Sequence, residues 1–260
     1  QKDTLEIDLE RTKLLFAKNK PSIVCCNHVS NVTGYILPID DIFESAKKHN
    51  AVTILDTAQS LGLVNLNVQK TKVDFVAFAG HKTLYGPLGI GGIISTSSKS
   101  KLDVVIAGGT GSDSLNLDMP SNAPDRYEYS SSNILAIAGL NSAIKDINIE
   151  KSFEIEKELL NYLITKLKDI KGVLLYCPPE DKHIGPLSFN VEGYMAEDVG
   201  TILDEDFDIA VRTGYHCAPY IHKYLKDEGS NGTVRIGVGK YNTHDDIDKL
   251  IFAITELLGD

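Results

Sequence analysis

Short, β-branched apolar runs separated by amphipathic stretches constrain this chain more than any other feature. Ser22 to Cys26, Val52 to Leu55 and Val73 to Phe78 each have the length of a buried strand. Glu10 to Lys20 predicts a helix with Leu14, Leu15 and Ala17 inward, broken by Pro21. Pro38 to His49 predicts a second, with Ile39, Ile42, Phe43 and Ala46 on its apolar face. Strands alternating with helices specify a mostly parallel sheet with helices on both faces, an α/β fold. Gly91 to Ser95 reads as one more strand, for which an antiparallel direction is open.

Ligands of such sheets bind beyond the carboxyl ends of the strands. The third run leads into Ala79-Gly80-His81-Lys82-Thr83-Leu84-Tyr85-Gly86-Pro87-Leu88-Gly89, a lysine followed by glycines that let backbone pass close to something bulky. A surface lysine in a Gly-rich turn is the alternative. The second run ends in Asp56-Thr57-Ala58-Gln59, where Asp56 is either an acidic ligand group or a helix N-cap with Gln59 completing a capping box. The first ends in Asn27-His28-Val29-Ser30-Asn31.

Farther along, Gly108 to Ser132 is loop-like, opening on Gly108-Gly109-Thr110-Gly111-Ser112. Loops this long inside a compact domain are usually functional. Asn133 onward predicts a helix with Ile134, Leu135, Ala138 and Leu140 inward, and Ser152 to Asp169 a strongly amphipathic one. A domain change near Asp146 separates a large domain, 1–146, from a small α+β domain, 147–260.

The small domain holds the second reactive cluster, Val211-Arg212-Thr213-Gly214-Tyr215-His216-Cys217-Ala218-Pro219. Arg212 and His216 would give Cys217 positive neighbours, which favour the thiolate that attacks sulfur. Cys25, Cys26 and Cys177 lie in strand patterns and read as inert. Arg235, inside the apolar strand Gly232 to Gly237, needs a partner because burying it unpaired is expensive. Thr243 is positioned to cap a final helix, Asp245 to Leu258.

A net charge of −10 gives no electrostatic case for nucleic acid or an anionic membrane. No apolar run reaches membrane-spanning length. The four cysteines lack paired spacing for zinc, so no metal is expected, and reduced thiols in a cytoplasm are the default.

Gly-His-Lys with its Gly-Pro-Leu-Gly turn, Asp-x-x-Gln at the preceding strand end, and Arg-x-Gly-x-His-Cys-Ala together resemble the class V aminotransferase and cysteine desulfurase family, enzymes dependent on pyridoxal 5'-phosphate (PLP). The resemblance spans essentially the whole chain and implies the PLP-dependent transferase fold type I. It implies Lys82 as the Schiff-base lysine, Asp56 as partner of the pyridinium nitrogen, Gln59 at the ring hydroxyl and His81 at the phosphate. Asn31 would lie beside the ring hydroxyl and the substrate carboxylate, and Arg235, with Arg212, would bind that carboxylate. Thr110 would reach the phosphate of a neighbouring subunit, implying a homodimer with shared sites.

By the same resemblance, Cys217 would take sulfur from L-cysteine as a persulfide, release L-alanine and pass the sulfur to an acceptor protein. A class V aminotransferase, a selenocysteine lyase or a non-catalytic fragment are the alternatives. Two departures stand out. Ala79 occupies a position where the family has Ser or Thr, and the family's N-terminal third, with its phosphate-binding turn and ring-stacking histidine, has no counterpart here. An N-terminally incomplete large domain is the expectation.

Overall fold

The computed structural model describes residues 4–96, 102–111 and 115–259, so Ser112 of the Gly-rich stretch lies outside it. In chain order the elements are α1 (Leu9–Asn19), β1 (Ile23–Asn27), α2 (Ile39–Lys47), β2 (Val52–Asp56), α3 (Val68–Thr71), β3 (Phe75–Ala79) and β4 (Gly91–Ser95). Then follow α4 (Ile134–Lys145), α5 (Ile149–Lys168), β5 (Val173–Tyr176), β6 (Pro186–Val191), α6 (Ala196–Phe207), β7 (Arg212–Gly214), α7 (Pro219–Leu225), β8 (Thr233–Gly237) and α8 (His244–Leu258). They form two sheets, ordered β1-β2-β3-β4 and β5-β6-β8-β7.

In the first sheet β1, β2 and β3 run parallel and β4 returns antiparallel. Helix α2 closes one face, burying Ile39, Ile42, Phe43 and Ala46 against Val24, Leu55 and Val76. Each such large side chain contributes about 1.5–3 kcal/mol by leaving water. Register places Asn27, Asp56 and Ala77 in one row near the carboxyl edge. The second sheet is antiparallel. Its core sets Leu160, Leu163 and Leu167 of α5, Val199 and Leu203 of α6, and Ala253 and Ile254 of α8 around Leu187, Phe189 and Val234.

The chain after β1 welds the two sheets. Ile36 N–H donates to the Lys182 carbonyl (2.8 Å), Ile184 N–H to the Gly34 carbonyl (3.0 Å), and Ser188 Oγ to the Val32 carbonyl (2.6 Å). The approach at Gly34 (φ +66°) leaves no room for a side chain, since a Cβ there would stand 2.5 Å from His183 Cδ2 and from the Pro186 carbonyl oxygen.

Several local expectations need correction. In α1, Leu14 and Leu15 are 72% and 46% exposed. The helix instead leans Leu9 and Phe16 on the α2 core, a stripe half a turn away. In α4, Ile134 and Leu135 are 74% and 86% exposed while Ala136 and Leu140 are buried. That helix is apolar nearly all round, so its sequence could not say which stripe faces inward. Cys25 is exposed on β1. Asp56 caps no helix; its Oδ1 accepts from Ala58 N–H (2.8 Å), closing a turn.

Candidate active site

Lys82 sits in the turn just beyond β3, at the carboxyl edge of the parallel sheet. The turn is closed by Tyr85 N–H donating to the Lys82 carbonyl and Gly86 N–H to the Gly80 carbonyl (both 2.8 Å). Thr83 Oγ1 ties it to the Leu61 carbonyl (2.7 Å). Lys82 is exposed into a cleft of about 410 Å³ whose walls include Gln59, Thr83, Tyr85, Glu156, Arg212 and Arg235.

Arg212 and Arg235 reach this cleft from the second sheet, where β7 and β8 pair them directly opposite one another. Like charges at opposed positions destabilise a sheet. Neither guanidinium forms a salt bridge among the described residues. Burial first, and the neighbouring Arg212 charge second, lower the pKa of Arg235. Its Nη1 donates to the Asn31 carbonyl (2.8 Å). Such a pair, in a cleft whose one acidic wall residue, Glu156, is bonded to Tyr85 rather than to either arginine, suits a small anion held by forked hydrogen bonds.

Cys217 is exposed on the loop after β7, and Arg212 Nη2 donates to its Sγ (3.6 Å). The expectation that His216 is a positive neighbour needs correction. Burial first, and Arg235 second, push its pKa down to about 4, so its ring is neutral at physiological pH. Its Nε2 bonds the Thr233 carbonyl (3.0 Å) and hydroxyl (2.9 Å) instead. Cys26 and Cys177 are raised by burial to about 12 and about 11 respectively, as inert thiols would be.

Of the remaining candidates, Gln59 lines the cleft, and the others stand outside its wall. Asp56 ends β2, one strand over from the strand that leads to Lys82, and His81 is exposed in the lysine turn. Asn31 donates from Nδ2 to the His216 carbonyl (2.7 Å), joining the carboxyl end of β1 to the cysteine loop. It lines a neighbouring cavity of about 290 Å³ with Ala218 and Ile221. Thr110, half-buried in the Gly-rich loop, is not on the cleft wall.

Sequence reasoning passed over Tyr85 and Glu156. Tyr85 Oη donates to Glu156 Oε1 (3.2 Å) and accepts from Lys240 N–H (3.3 Å), while Lys240 Nζ stands 4.3 Å from the Tyr85 ring centroid. Burial raises Glu156 to about 7, the Tyr85 bond and the Lys240 charge opposing the shift. A signal was present, because Glu156 falls on the buried stripe of Ser152, Leu159, Leu160 and Leu163. A carboxyl on such a stripe asks for a partner.

The site residues suit the pyridine end of PLP. A solvent-reached lysine and an anion-ready arginine pair line a space of small-ligand size, and the strand next to the one leading to the lysine ends in an acid. Among the described residues no group of three or more His, Cys, Asp or Glu is placed to hold a metal ion. No helix among them is long and apolar enough to cross a membrane.

A lysine cleft at the carboxyl edge of a parallel sheet, faced by cationic strands of a second sheet, defines a ligand-binding α/β protein of the PLP-dependent transferase type. The profile described as "Aminotransferase class-V" matches residues 2–250, and the chain belongs to that family. A "Probable cysteine desulfurase" of Halalkalibacterium halodurans is 37% identical over 258 residues, covering 96% of this chain and 61% of the relative. One of Pyrococcus abyssi with the same description is 36% identical over 245 residues, 91% of this chain and 59% of its own length. This chain therefore spans about three-fifths of the length of these curated relatives. Among solved structures, the apo cysteine desulfurase from Thermococcus onnurineus NA1 matches with a TM-score of 0.87 at 30% identity, covering 100% of this chain and 65% of that one. The Escherichia coli cysteine desulfurase CsdA matches with a TM-score of 0.78 at 26% identity, over 91% of this chain and 59% of that one. The fold is fold type I.

Proposed function

We propose that the protein carrying this chain is a PLP-dependent cysteine desulfurase, which converts L-cysteine to L-alanine and takes the sulfur as a persulfide on Cys217. The observation that carries this reading is the Arg212 bond to Cys217 Sγ, which places the thiol beside the cleft that Lys82 and Arg235 share. The names of the relatives point the same way.

In this reading Lys82 Nζ holds the cofactor and, when freed, takes the proton from the substrate α-carbon. Asp56 holds the proton on the ring nitrogen, Gln59 faces the ring oxygen and His81 the phosphate. When bound, PLP supplies an electron sink for charge developed at the α-carbon. Arg235 and Arg212 fork onto the substrate carboxylate. Asn31 serves the same group from the side, through its carbonyl bond to Arg235. The Cys217 thiolate attacks the substrate sulfur. As the sulfur–sulfur bond forms, the carbon–sulfur pair stays with the β-carbon, which takes up a proton equivalent to the one the thiol released. Lys82 returns its proton to the α-carbon to complete alanine.

The same proposal divides the chain near Asp146 into a cofactor domain and a small domain. It makes the protein a homodimer in which Thr110 reaches the neighbouring subunit's phosphate. The apolar outer face of α4, with Ile134 and Leu135, supports such an assembly. A reducing cytoplasm, with an acceptor protein for the sulfur, suits a working free thiol.

Cys217→Ser tests the chemistry apart from the fold. The variant should retain the cofactor's absorption and its change on adding cysteine, while alanine and sulfide production fall by orders of magnitude. Desulfuration at the parent rate would make Cys217 a bystander and favour transamination or a lyase.

A further inference from the structure

The turn that carries Cys217 is built against its own backbone preference. His216 (φ +50°) and Cys217 (φ +59°) are consecutive non-glycine residues in the left-handed region. That conformation crowds a side chain and persists only where the surroundings impose it. Three of the restraints are described above or local: the His216 ring on Thr233, the Asn31 amide on the His216 carbonyl, and Ala218 N–H on the Tyr215 carbonyl (2.9 Å).

The fourth comes from α7. His222 is 4% exposed and directs Nε2 at the Tyr215 carbonyl (3.1 Å). Because a carbonyl only accepts, Nε2 carries the hydrogen. On its other side Nδ1 is paired to Asp227 Oδ2, on a carboxyl that is itself buried. The ring packs edge-on against Tyr215, with centroids 5.1 Å apart and planes at 88°. Tyr215 Oη donates in turn to Asn231 Oδ1 (2.6 Å). The backbone group that this buried histidine–carboxylate pair reaches lies two residues before Cys217.

We propose that His222, oriented by Asp227, is a positioning residue for Cys217: by holding the Tyr215 carbonyl it fixes the left-handed turn that sets Sγ beside Arg212. The inference rests on Cys217 as the sulfur-accepting thiol, but the labelling arm of its test does not.

Two matched substitutions separate the bonds. The amide of His222→Gln extends to the place of Nε2 and can keep the Tyr215 bond. The shorter amide of His222→Asn reaches the place of Nδ1, keeping the Asp227 bond and losing the other. Iodoacetamide labelling of each cysteine in the cofactor-loaded protein, followed by mass spectrometry, reads the turn. Exposed Cys25 is the reference, and half-buried Cys26 and Cys177, labelling faster than in the parent, report unfolding. His222→Asn should slow Cys217 labelling about tenfold relative to Cys25, and lower kcat for alanine formation about as much with KM for cysteine little changed. His222→Gln should track the parent protein.

Equal Cys217 rates in all three proteins would overturn the proposal, as would the reverse order, which would mean that satisfying Asp227 is what matters. Faster labelling of Cys26 and Cys177 in both variants than in the parent would make His222 a folding residue and overturn it equally. If the parent makes no alanine while the labelling pattern holds, the desulfurase reading fails and the positioning role stands.

Discussion

Glu156→Gln should stabilise the protein above neutral pH and leave it unchanged in acid. Burial raises the Glu156 carboxyl from 4.5 to about 7 in the folded chain. The folded protein therefore keeps a proton that the unfolded chain releases across that interval. Stability from the neutral carboxyl is complete below about pH 4.5 and is lost as pH rises through about 7. The span from 4.5 to about 7 corresponds to about 3 kcal/mol. A glutamine side chain has the same shape, can accept the Tyr85 hydroxyl through its carbonyl oxygen, and does not ionise. The variant should match the parent near pH 4.5 and gain about 3 kcal/mol by pH 8, which for a chain of this size is roughly 5–10 °C in Tm. Urea or thermal unfolding of both proteins across pH 4.5–8 measures the difference, and groups that titrate in both cancel from it. A difference that stays flat with pH, or a variant less stable at pH 8, would refute a buried carboxyl strained by its own charge.

Burial lowers His28 and His183 from 6.5 to about 4. The stability of their neutral rings is present above pH 6.5 and lost as pH falls toward 4. His28→Asn, whose amide can meet the Ser60 hydroxyl that His28 Nδ1 now bonds (3.0 Å), should flatten the loss of urea stability between pH 6.5 and 4.5 by about 1–3 kcal/mol. Gly34→Ala should cost at least about 2 kcal/mol, because its Cβ would meet the Pro186 carbonyl at 2.5 Å and the backbone is left-handed; an unchanged unfolding midpoint would contradict the weld between the sheets. Arg235→Lys keeps the charge but loses the fork, so KM for cysteine should rise about tenfold or more while thermal stability changes little; an unchanged KM would move the carboxylate site elsewhere.

What the sequence exposed were features set by neighbours along the chain. The period of the apolar runs gave the parallel sheet, and the cap at Thr243 was readable because capping is local; Asp246 completes the box. Lys82, Asp56 and Cys217 stood out because reactive side chains beside Gly and Pro mark strand ends and loops. Helices α1 and α4 misled because each carries more apolar residues than one face needs, and only tertiary contact chooses the stripe. His216 misled for a related reason: adjacency to Cys217 suggested a charge, and burial against Thr233 removes it. The Arg212–Arg235 pairing and the Asn31 clamp were invisible because their partners are brought together only by strand order and by the weld; Glu156 was legible on its buried stripe, but its partner Tyr85 was not.

That weld also sets a timetable for the chain's birth. Val32 waits for Ser188 across 156 residues, Asn31 for His216 across 185, and Asn31 again for Arg235 across 204. At roughly 5–20 residues per second, a ribosome needs roughly 10–40 s to supply the last of these partners. Through that interval the lysine turn can form on its local bonds, yet the cationic wall opposite it does not exist. A nascent chain thus passes through a stage in which Lys82 is presented without the arginine pair that lines the finished cleft. Val29 and Val32, buried in the finished fold, are then open to chaperones. The cleft gains its second wall late, when β8 joins β6 to β7.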